Sequence, residues 1–521
     1  MNARTTTRHR AWLIDLAIVV ALALGWVAMI AAVTGGHQMV LFDTFRDMAW
    51  AENIRAGRIW TDPSLADQPY WYAPGSPLLM GAVAAATGRS ASVAYSSSIF
   101  WYNVLIPLFV YLLARVVWDR ATALVAVPAV LLGSYWWFTH APAPIPGIQT
   151  IALCLLGFLC WHQCVSATRW GGGSAGAGVV LAGAAWQHPL CALILAGAIA
   201  LHVALDAFVV GGRLRLLPRM AVVAVIAGAG AVPLIVHMLR LGVAGSPLLR
   251  FYASELVEPE FYAHAHTPLI VPAALVGVWF VARWQPQALW LVAWLLVGVL
   301  GQIAGYLGSW PHWPLPYVLP HEFQWHGQLA LGLLAAVGIV GLARAWAPPA
   351  RRRVAVPLCA ILLLVVTVGP ALRDLPRVGK DLLDLEPSLV RTQPLRTWIE
   401  QQTTLDDVFI CDPDTAYRVV CGLTGRKCVA TSAGHTNPAV DARRRLADVE
   451  TLLRTDEPAA FAQLAGQYGA GYLLFAPTDM TEARQLRQRY ADWGCLRPAF
   501  VPEDNPATVY RIVADEGGQQ P

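Results

Sequence analysis

Over its first three quarters the chain alternates long apolar blocks with short segments that carry arginine. Crossing a hydrocarbon core takes about 20 predominantly apolar residues in a helix. Blocks that read as crossings lie at 11–34, 93–114, 121–139, 147–167, 175–187, 189–210, 219–240, 268–283, 286–307, 326–346 and 354–372. The pattern predicts a polytopic α-helical membrane protein of about eleven spans. The block at 11–34 exceeds the roughly 7–15 apolar residues of a signal peptide, and no small-x-small site clearly closes it, so it reads as a retained first helix.

The arginines predict the orientation. Arg4, Arg8 and Arg10, then Arg115 and Arg120, Arg169, Arg213 to Arg219, Arg283, and Arg344 to Arg353 fall at every second loop. By the positive-inside rule these ends and the N-terminus are cytoplasmic, and an odd number of spans leaves the C-terminus outside. The apolar stretch Pro74–Thr87 is short for a crossing at about 14 residues. Counted as a span it would turn Arg115 and Arg120 outward, so it reads as a helix in or dipping into the outer interface, behind Tyr70-Trp71-Tyr72. Residues 1–372 therefore form a membrane module whose extracytoplasmic loop 35–92 holds juxtamembrane helices. Beyond Arg373 charges become frequent, and short strands at 407–411, 427–430, 471–475 and 508–513 alternate with helical patterns at 443–454 and 459–468. Residues 373–521 thus read as a soluble extracytoplasmic α/β domain.

Composition agrees with this class. Hydrophobic residues make up 56% of the 521 positions and charged residues 13%, about half the charged share of a soluble domain. A multi-pass place in the cytoplasmic membrane follows, with membrane lipids as partners. Dispersed arginines make no basic stripe, which excludes nucleic acid. Of the nine cysteines, Cys411, Cys421, Cys428 and Cys495 lie in the outer domain, where an oxidising compartment permits one or two disulfides in any pairing. No CxxC or HExxH spacing occurs, so a structural zinc site is not expected.

Inner loops hold little besides arginine, so chemistry is sought on the outer side. In the first outer loop, helical periodicity from Thr44 to Ala56, with Gly57 as a stop, predicts a short interfacial helix. Asp43 stands at its N-cap and Asp47 lies four residues on, on the same face. Capping alone, worth about 1 kcal/mol, accounts for Asp43. An apolar surround that raises a carboxylate's basicity would instead make it a general base.

This loop, from Asp43 to Asp47 through Gly57-Arg58-Ile59-Trp60-Thr61-Asp62-Pro63 to Trp71-Tyr72-Ala73-Pro74-Gly75-Ser76-Pro77-Leu78, resembles that of the GT-C superfamily of membrane glycosyltransferases. The superfamily includes protein O-mannosyltransferases and aminoarabinose and arabinofuranosyl transferases. The resemblance extends to the order of elements and to Tyr468-Gly469-Ala470-Gly471-Tyr472-Leu473-Leu474. It implies a GT-C-like fold, a polyprenyl-phosphate-linked sugar donor, a lipid, glycan or protein acceptor, and inversion at the anomeric carbon. Asp43 matches the base position, and Asp47 becomes a supporting or acceptor-orienting group. Arg46, Tyr70 and Tyr72 belong to the same loop.

The leaving phosphate needs donors or cations fixed where its charge develops. In Trp186-Gln187-His188-Pro189, Gln187 and His188 stand where many relatives place a lysine; a polar helix break at a proline explains them equally well. Arg250 and Tyr252 are phosphate candidates, against a snorkelling arginine. His321 and Glu322 open the tenth span, where they contact donor or simply cap a helix. His140, His264, His266 and His435 fall in outer segments that line an acceptor site or only turn the chain. His264-x-His266 near Glu260, or His321-Glu322, has spacing that permits a divalent metal. Relatives with pyrophosphate donors need one and monophosphate-donor relatives generally do not, so no cofactor is firmly expected.

Two other readings compete. A lipid-linked sugar transporter or flippase would need ionisable groups at mid-membrane depth and paired broken helices, whereas the middles of these spans are almost uncharged and no half-to-half symmetry shows. A non-catalytic GT-C-like scaffold would bind the same lipids without turning them over.

Overall fold

The structure is a computed structural model that describes residues 3–33, 42–132, 145–167, 172–209, 211, 215–241, 270–308, 320–348, 350–352, 354–362, 386–432, 436–437 and 439–513. Its helices run α1 Ala3–Val33, α2 Phe42–Arg55, α3 Gly75–Thr87, α4 Ala91–Val117, α5 Arg120–Leu132, α6 Pro146–Ser166, α7 Gly172–Gln187, α8 Pro189–Val209, α9 Leu217–Arg240, α10 Ile270–Trp284, α11 Leu289–Gly308 and α12 Pro320–Trp346. Among the described residues seven helices are long and apolar enough to cross a membrane, while Gly75–Thr87, Arg120–Leu131 and Ile270–Trp284 are apolar but shorter. The chain has a polytopic membrane-protein fold, with seven such helices where about eleven spans were expected. The four expected spans not among them are those of α5, α7 and α10, each described over fewer than 18 residues and bordering residues outside the described set, and 354–372, which is described only to 362. Between α7 and α8 a single residue, His188, interrupts the helix. Pro189 lacks an N–H and is preset for a first helical position, so it opens α8 where α7 ends.

Asp15 and Asp206 are paired at the arginine-bearing ends of their spans, as boundary residues should be. Asp15 accepts hydrogen bonds from Tyr111 Oη at 2.8 Å and Arg120 Nε at 2.7 Å. Asp206 accepts from Arg215 Nη2 at 2.9 Å. His162 and His202, both poor ligand candidates from the sequence, instead accept indole N–H groups from Trp290 and Trp161.

The chain divides into two compact units, one of Met1–Met39, Ser98–Val236 and Leu249–Asp381, the other of Val40–Ser97, His237–Leu248 and Leu382–Pro521. The second unit thus unites the first loop with the C-terminal α/β domain. That domain contains α13 Glu386–Gln402, β1 Val408–Ile410, a π-helix Ala416–Leu423, β2 Lys427–Cys428, α14 Ala442–Arg454, α15 Pro458–Gln467, β3 Ala470–Phe475, α16 Met480–Tyr490, β4 Leu496–Phe500 and β5 Thr508–Ile512. The strand order is β2-β1-β3-β5-β4. β1 is parallel to β2 and β3, whereas β5 is antiparallel to β3 and β4. Alternation along β1 puts Val408 and Ile410 into one apolar cluster with Leu452, Phe461 and Leu473, and Phe409 into another with Leu395, Ile399 and Leu474. Both faces of the sheet are covered. The four expected strands form. β4 was not expected, because its Arg497 and Pro498 break the apolar alternation; an edge strand tolerates both.

Candidate functional site

In the second unit α2 begins at Phe42, so Asp43 lies in its first turn and not outside it as a cap. A carboxylate there is still favoured by the positive end of the helix. The Asp43 side chain lies outside the described set. From Thr44 to Ala51 every side chain is buried, so α2 is enclosed, where an interfacial helix was expected. α3 closes one side: a Cβ on Gly81 would meet the Ala51 carbonyl oxygen and Ile54 Cγ2 at 2.9 Å, so only glycine lets the two helices approach so closely. Phe45 and Met48 share an apolar cluster with Met80 and Ala84 of α3 and with Tyr417 and Leu423 of the π-helix.

Within this enclosure four sequence-named residues come together. Arg46 Nε donates to Asp47 Oδ1 at 2.9 Å, and both side chains are almost fully buried. The Arg46 guanidinium lies 3.9 Å from the ring centroid of Tyr72 and 5.9 Å from that of Trp71, a cation–π arrangement that helps hold a desolvated cation. Tyr70 packs between Trp50, at 3.8 Å between ring centroids, and His237, at 5.1 Å in a stack. Burial pushes the Tyr70 phenol above its ordinary range, and its neighbours there are Tyr72, Arg46 and Asp47. Among the described residues its hydroxyl has no hydrogen-bond partner. The enclosure thus brings together a buried carboxylate, a guanidinium and a phenol.

A buried polar network fixes the loop that leads to Tyr70. Asp62 accepts the backbone N–H groups of Ser64 and Leu65 at 2.7 and 2.8 Å and the Asn437 Nδ2 at 3.0 Å. Lys427 Nζ donates to the Asp62 carbonyl and to Asn53 Oδ1. Desolvation raises the Asp62 carboxyl above its ordinary value and lowers the Lys427 ammonium. Nothing in the sequence marks this network, since Lys427 reads as an ordinary strand residue.

In the first unit a second polar cluster lies where the ends of four helices meet. Gln187 Nε2, at the end of α7, donates to Gln149 Oε1 of α6 at 2.7 Å. His188 Nε2 stands 3.4 Å from Glu322 Oε1 of α12, and Cys191 Sγ of α8 stands 3.6 Å from Glu322 Oε2. All these side chains are buried. Gly147 is what lets Glu322 in, since a Cβ there would lie 2.8 Å from Glu322 Oε2. α6, α8 and α12 all start here, and helix N-termini present N–H groups and a positive dipole end that favour anions. Gln187, His188 and Glu322, expected separately, are thus neighbours. Cys191 was not expected; its offset of three from His188 was the available signal. Among the described residues His188, Cys191 and Glu322 bring metal-ligating atoms within 4.8 Å of one another.

The remaining expectations fall elsewhere. His140, Arg250, Tyr252, His264, His266 and His435, with the metal reading of His264-x-His266, lie outside the described residues, as does the side chain of His321.

Neither a protein-family model nor a curated protein matches the sequence. Solved structures do. ArnT from Cupriavidus metallidurans bound to undecaprenyl phosphate matches with a TM-score of 0.61 at 14% identity, over 98% of this chain and 99% of that one. The oligosaccharyltransferase AglB from Archaeoglobus fulgidus, in complex with an inhibitory peptide and a dolichol-phosphate, matches with 0.59 at 13% over 92% of this chain and 71% of its own. The mycobacterial arabinofuranosyltransferase AftD matches with 0.58 at 16% over 97% of this chain and 40% of its own. These are GT-C superfamily glycosyltransferases. The chain has their fold.

Proposed function

We propose that the chain is an inverting glycosyltransferase that moves a sugar from a polyprenyl monophosphate donor to an acceptor hydroxyl. The observation that carries the reading is the GT-C fold over 98% of the chain, shared with a protein that holds undecaprenyl phosphate. Asp43, in the first turn of α2, takes the proton of the acceptor hydroxyl. The acceptor oxygen attacks the anomeric carbon from the face opposite the phosphate, the anomeric C–O bond breaks, and polyprenyl phosphate leaves with the bonding electrons. Asp47, held by Arg46, orients the acceptor together with Tyr70 and Tyr72. Gln187, His188 and Glu322 receive the phosphate end of the lipid at the helix N-termini, where developing negative charge is stabilised. Arg250, Tyr252 and His321 are further candidates for the phosphate, and His140, His264, His266 and His435 for the acceptor. The positive-inside pattern supports an inner-membrane orientation with the N-terminus in the cytoplasm and the C-terminal domain, residues 373–521, on the outer side.

Transfer by the full-length protein in detergent, from a polyprenyl phosphate sugar, tests this. Asp43→Asn should reduce turnover by about 10²- to 10⁴-fold, the range for loss of a general base, with folding unchanged. Undiminished transfer by both Asp43→Asn and Asp47→Asn would show the mechanism to be wrong. Mass spectrometry of co-purifying lipids supplies an independent measure, with a polyprenyl phosphate as the expected finding.

A further inference from the structure

His188, Cys191 and Glu322 have contacts of 3.4 and 3.6 Å between His188 Nε2 or Cys191 Sγ and the Glu322 carboxylate oxygens. Around a tetrahedral zinc ion, with bonds of about 2.0–2.3 Å, ligand atoms stand about 3.3–3.6 Å apart. The His188 and Cys191 contacts, one to each Glu322 carboxylate oxygen, have that spacing, and all the ligand atoms lie within 4.8 Å of one another. They are also pre-positioned. His188 and Cys191 open α8, and Glu322 in the first turn of α12 is pressed against Gly147, where a Cβ would collide with it. We infer that these residues bind one divalent metal ion of the zinc type. Thiolate, imidazole and carboxylate form a borderline-soft set that selects Zn²⁺ over Mg²⁺, Ca²⁺ or Mn²⁺. Three protein ligands leave a fourth position for an oxygen of water or phosphate. On binding, Cys191 releases its thiol proton to solvent, the His188 proton facing Glu322 passes from Nε2 to Nδ1 so that the ring stays neutral, the freed Nε2 lone pair goes to the ion, and no electron is transferred.

A second observation points the same way. His326, one helical turn after Glu322, is fully buried and accepts the Trp294 indole N–H at Nδ1, at 3.2 Å. Its neutral ring then carries an N–H at Nε2, which has no partner among the described residues. A buried donor without an acceptor costs about 1–3 kcal/mol. An oxygen held on an ion is the kind of acceptor this N–H lacks. The site does not depend on whether the chain transfers a sugar.

Full-length protein purified in detergent, stripped with chelator and titrated with Co²⁺, tests the inference. One equivalent should bind, with the visible bands of tetrahedral cobalt and a near-ultraviolet thiolate charge-transfer band, and Zn²⁺ should displace it. Cys191→Ser should abolish the charge-transfer band, and Glu322→Gln should weaken binding at least about tenfold. Cys154→Ser, which alters the thiol 3.8 Å from the Cys191 carbonyl, should leave the band in place. Monodisperse wild-type protein that binds no Co²⁺, or binds it without the charge-transfer band, overturns the inference, and so does a band that survives Cys191→Ser. Should the variants fail to fold, the wild-type titration decides alone.

Discussion

Replacing Lys427 with methionine keeps the length of the side chain and removes its charge. In the folded chain the ammonium is buried and donates to two oxygens, the Asp62 carbonyl and Asn53 Oδ1. Both acceptors lie in the first loop, and Asn53 Nδ2 is already committed to the Ala49 and Gly425 carbonyls at 2.9 and 3.0 Å. Methionine leaves two buried acceptors unmatched at about 1–3 kcal/mol each, and it deprives the Asp62 carboxylate of its cation. Relief from desolvating an ammonium offsets part of that loss. The net expectation is a destabilisation of about 3 kcal/mol, from two unmatched buried acceptors less the relieved desolvation. Hydrogen exchange in detergent should then quicken roughly a hundredfold in the 60–70 loop and around β2, because about 1.4 kcal/mol corresponds to tenfold. Lys427→Met combined with Asp62→Asn should lose less than the sum of the two single changes, with a coupling of at least about 1 kcal/mol. Exchange that rises less than fivefold, or strict additivity, would refute the argument that this pair ties the loop to the domain.

The remaining expectations concern single groups. Burial holds the Asp62 carboxyl above its ordinary 3.8 in spite of three hydrogen bonds. Between 3.8 and the raised value the folded chain keeps a proton that the unfolded chain has lost, so this group's contribution to stability falls as pH rises through that window. Stability relative to the non-titrating Asp62→Asn should therefore be greater near about pH 4 than near about pH 7, read as the difference in melting temperature. Gly147→Ala should destabilise by about 1–3 kcal/mol through overpacking against Glu322 and Trp325, and it should also weaken Co²⁺ binding. Tyr70→Phe should leave thermal stability unchanged or raise it by up to about 1 kcal/mol, since the lost hydroxyl is buried without a described partner. A drop in melting temperature would show that the hydroxyl is engaged. Transfer activity should fall in the same variant if that hydroxyl orients the acceptor.

The membrane module was legible because lipid enforces one rule, long apolar helices, which writes itself into sequence as uninterrupted blocks. The number of crossings was less legible. The count of described spans falls short at α5, α7 and α10, whose composition is as apolar as that of their neighbours but of which 13, 16 and 15 residues are described. α2 shows the opposite failure. Its Arg46, Asp47, Glu52, Asn53 and Arg55 suggest a helix at a surface, yet Asn53 bonds to Gly425, a residue 372 positions away. Burial imposed from that distance leaves no periodic trace in the helix that is covered.

The cluster at the ends of α6, α7, α8 and α12 lies between these cases. Gln187, His188 and Glu322 attracted notice because a polar residue at the end of an apolar helix needs a reason. Their joint placement could not be read, since 131 residues separate Cys191 from Glu322. Cys191 passed as one apolar helix residue among many, because a lone cysteine in a span usually behaves as a small hydrophobe. Helix phase brings it beside His188, and a carboxylate from α12 then converts two packing residues into ligands. Glu322 decides between the two roles. With glutamine there, His188 and Cys191 can still pack and share hydrogen bonds, so a structural cluster would survive Glu322→Gln with little loss of stability, whereas an ion site would lose most of its affinity.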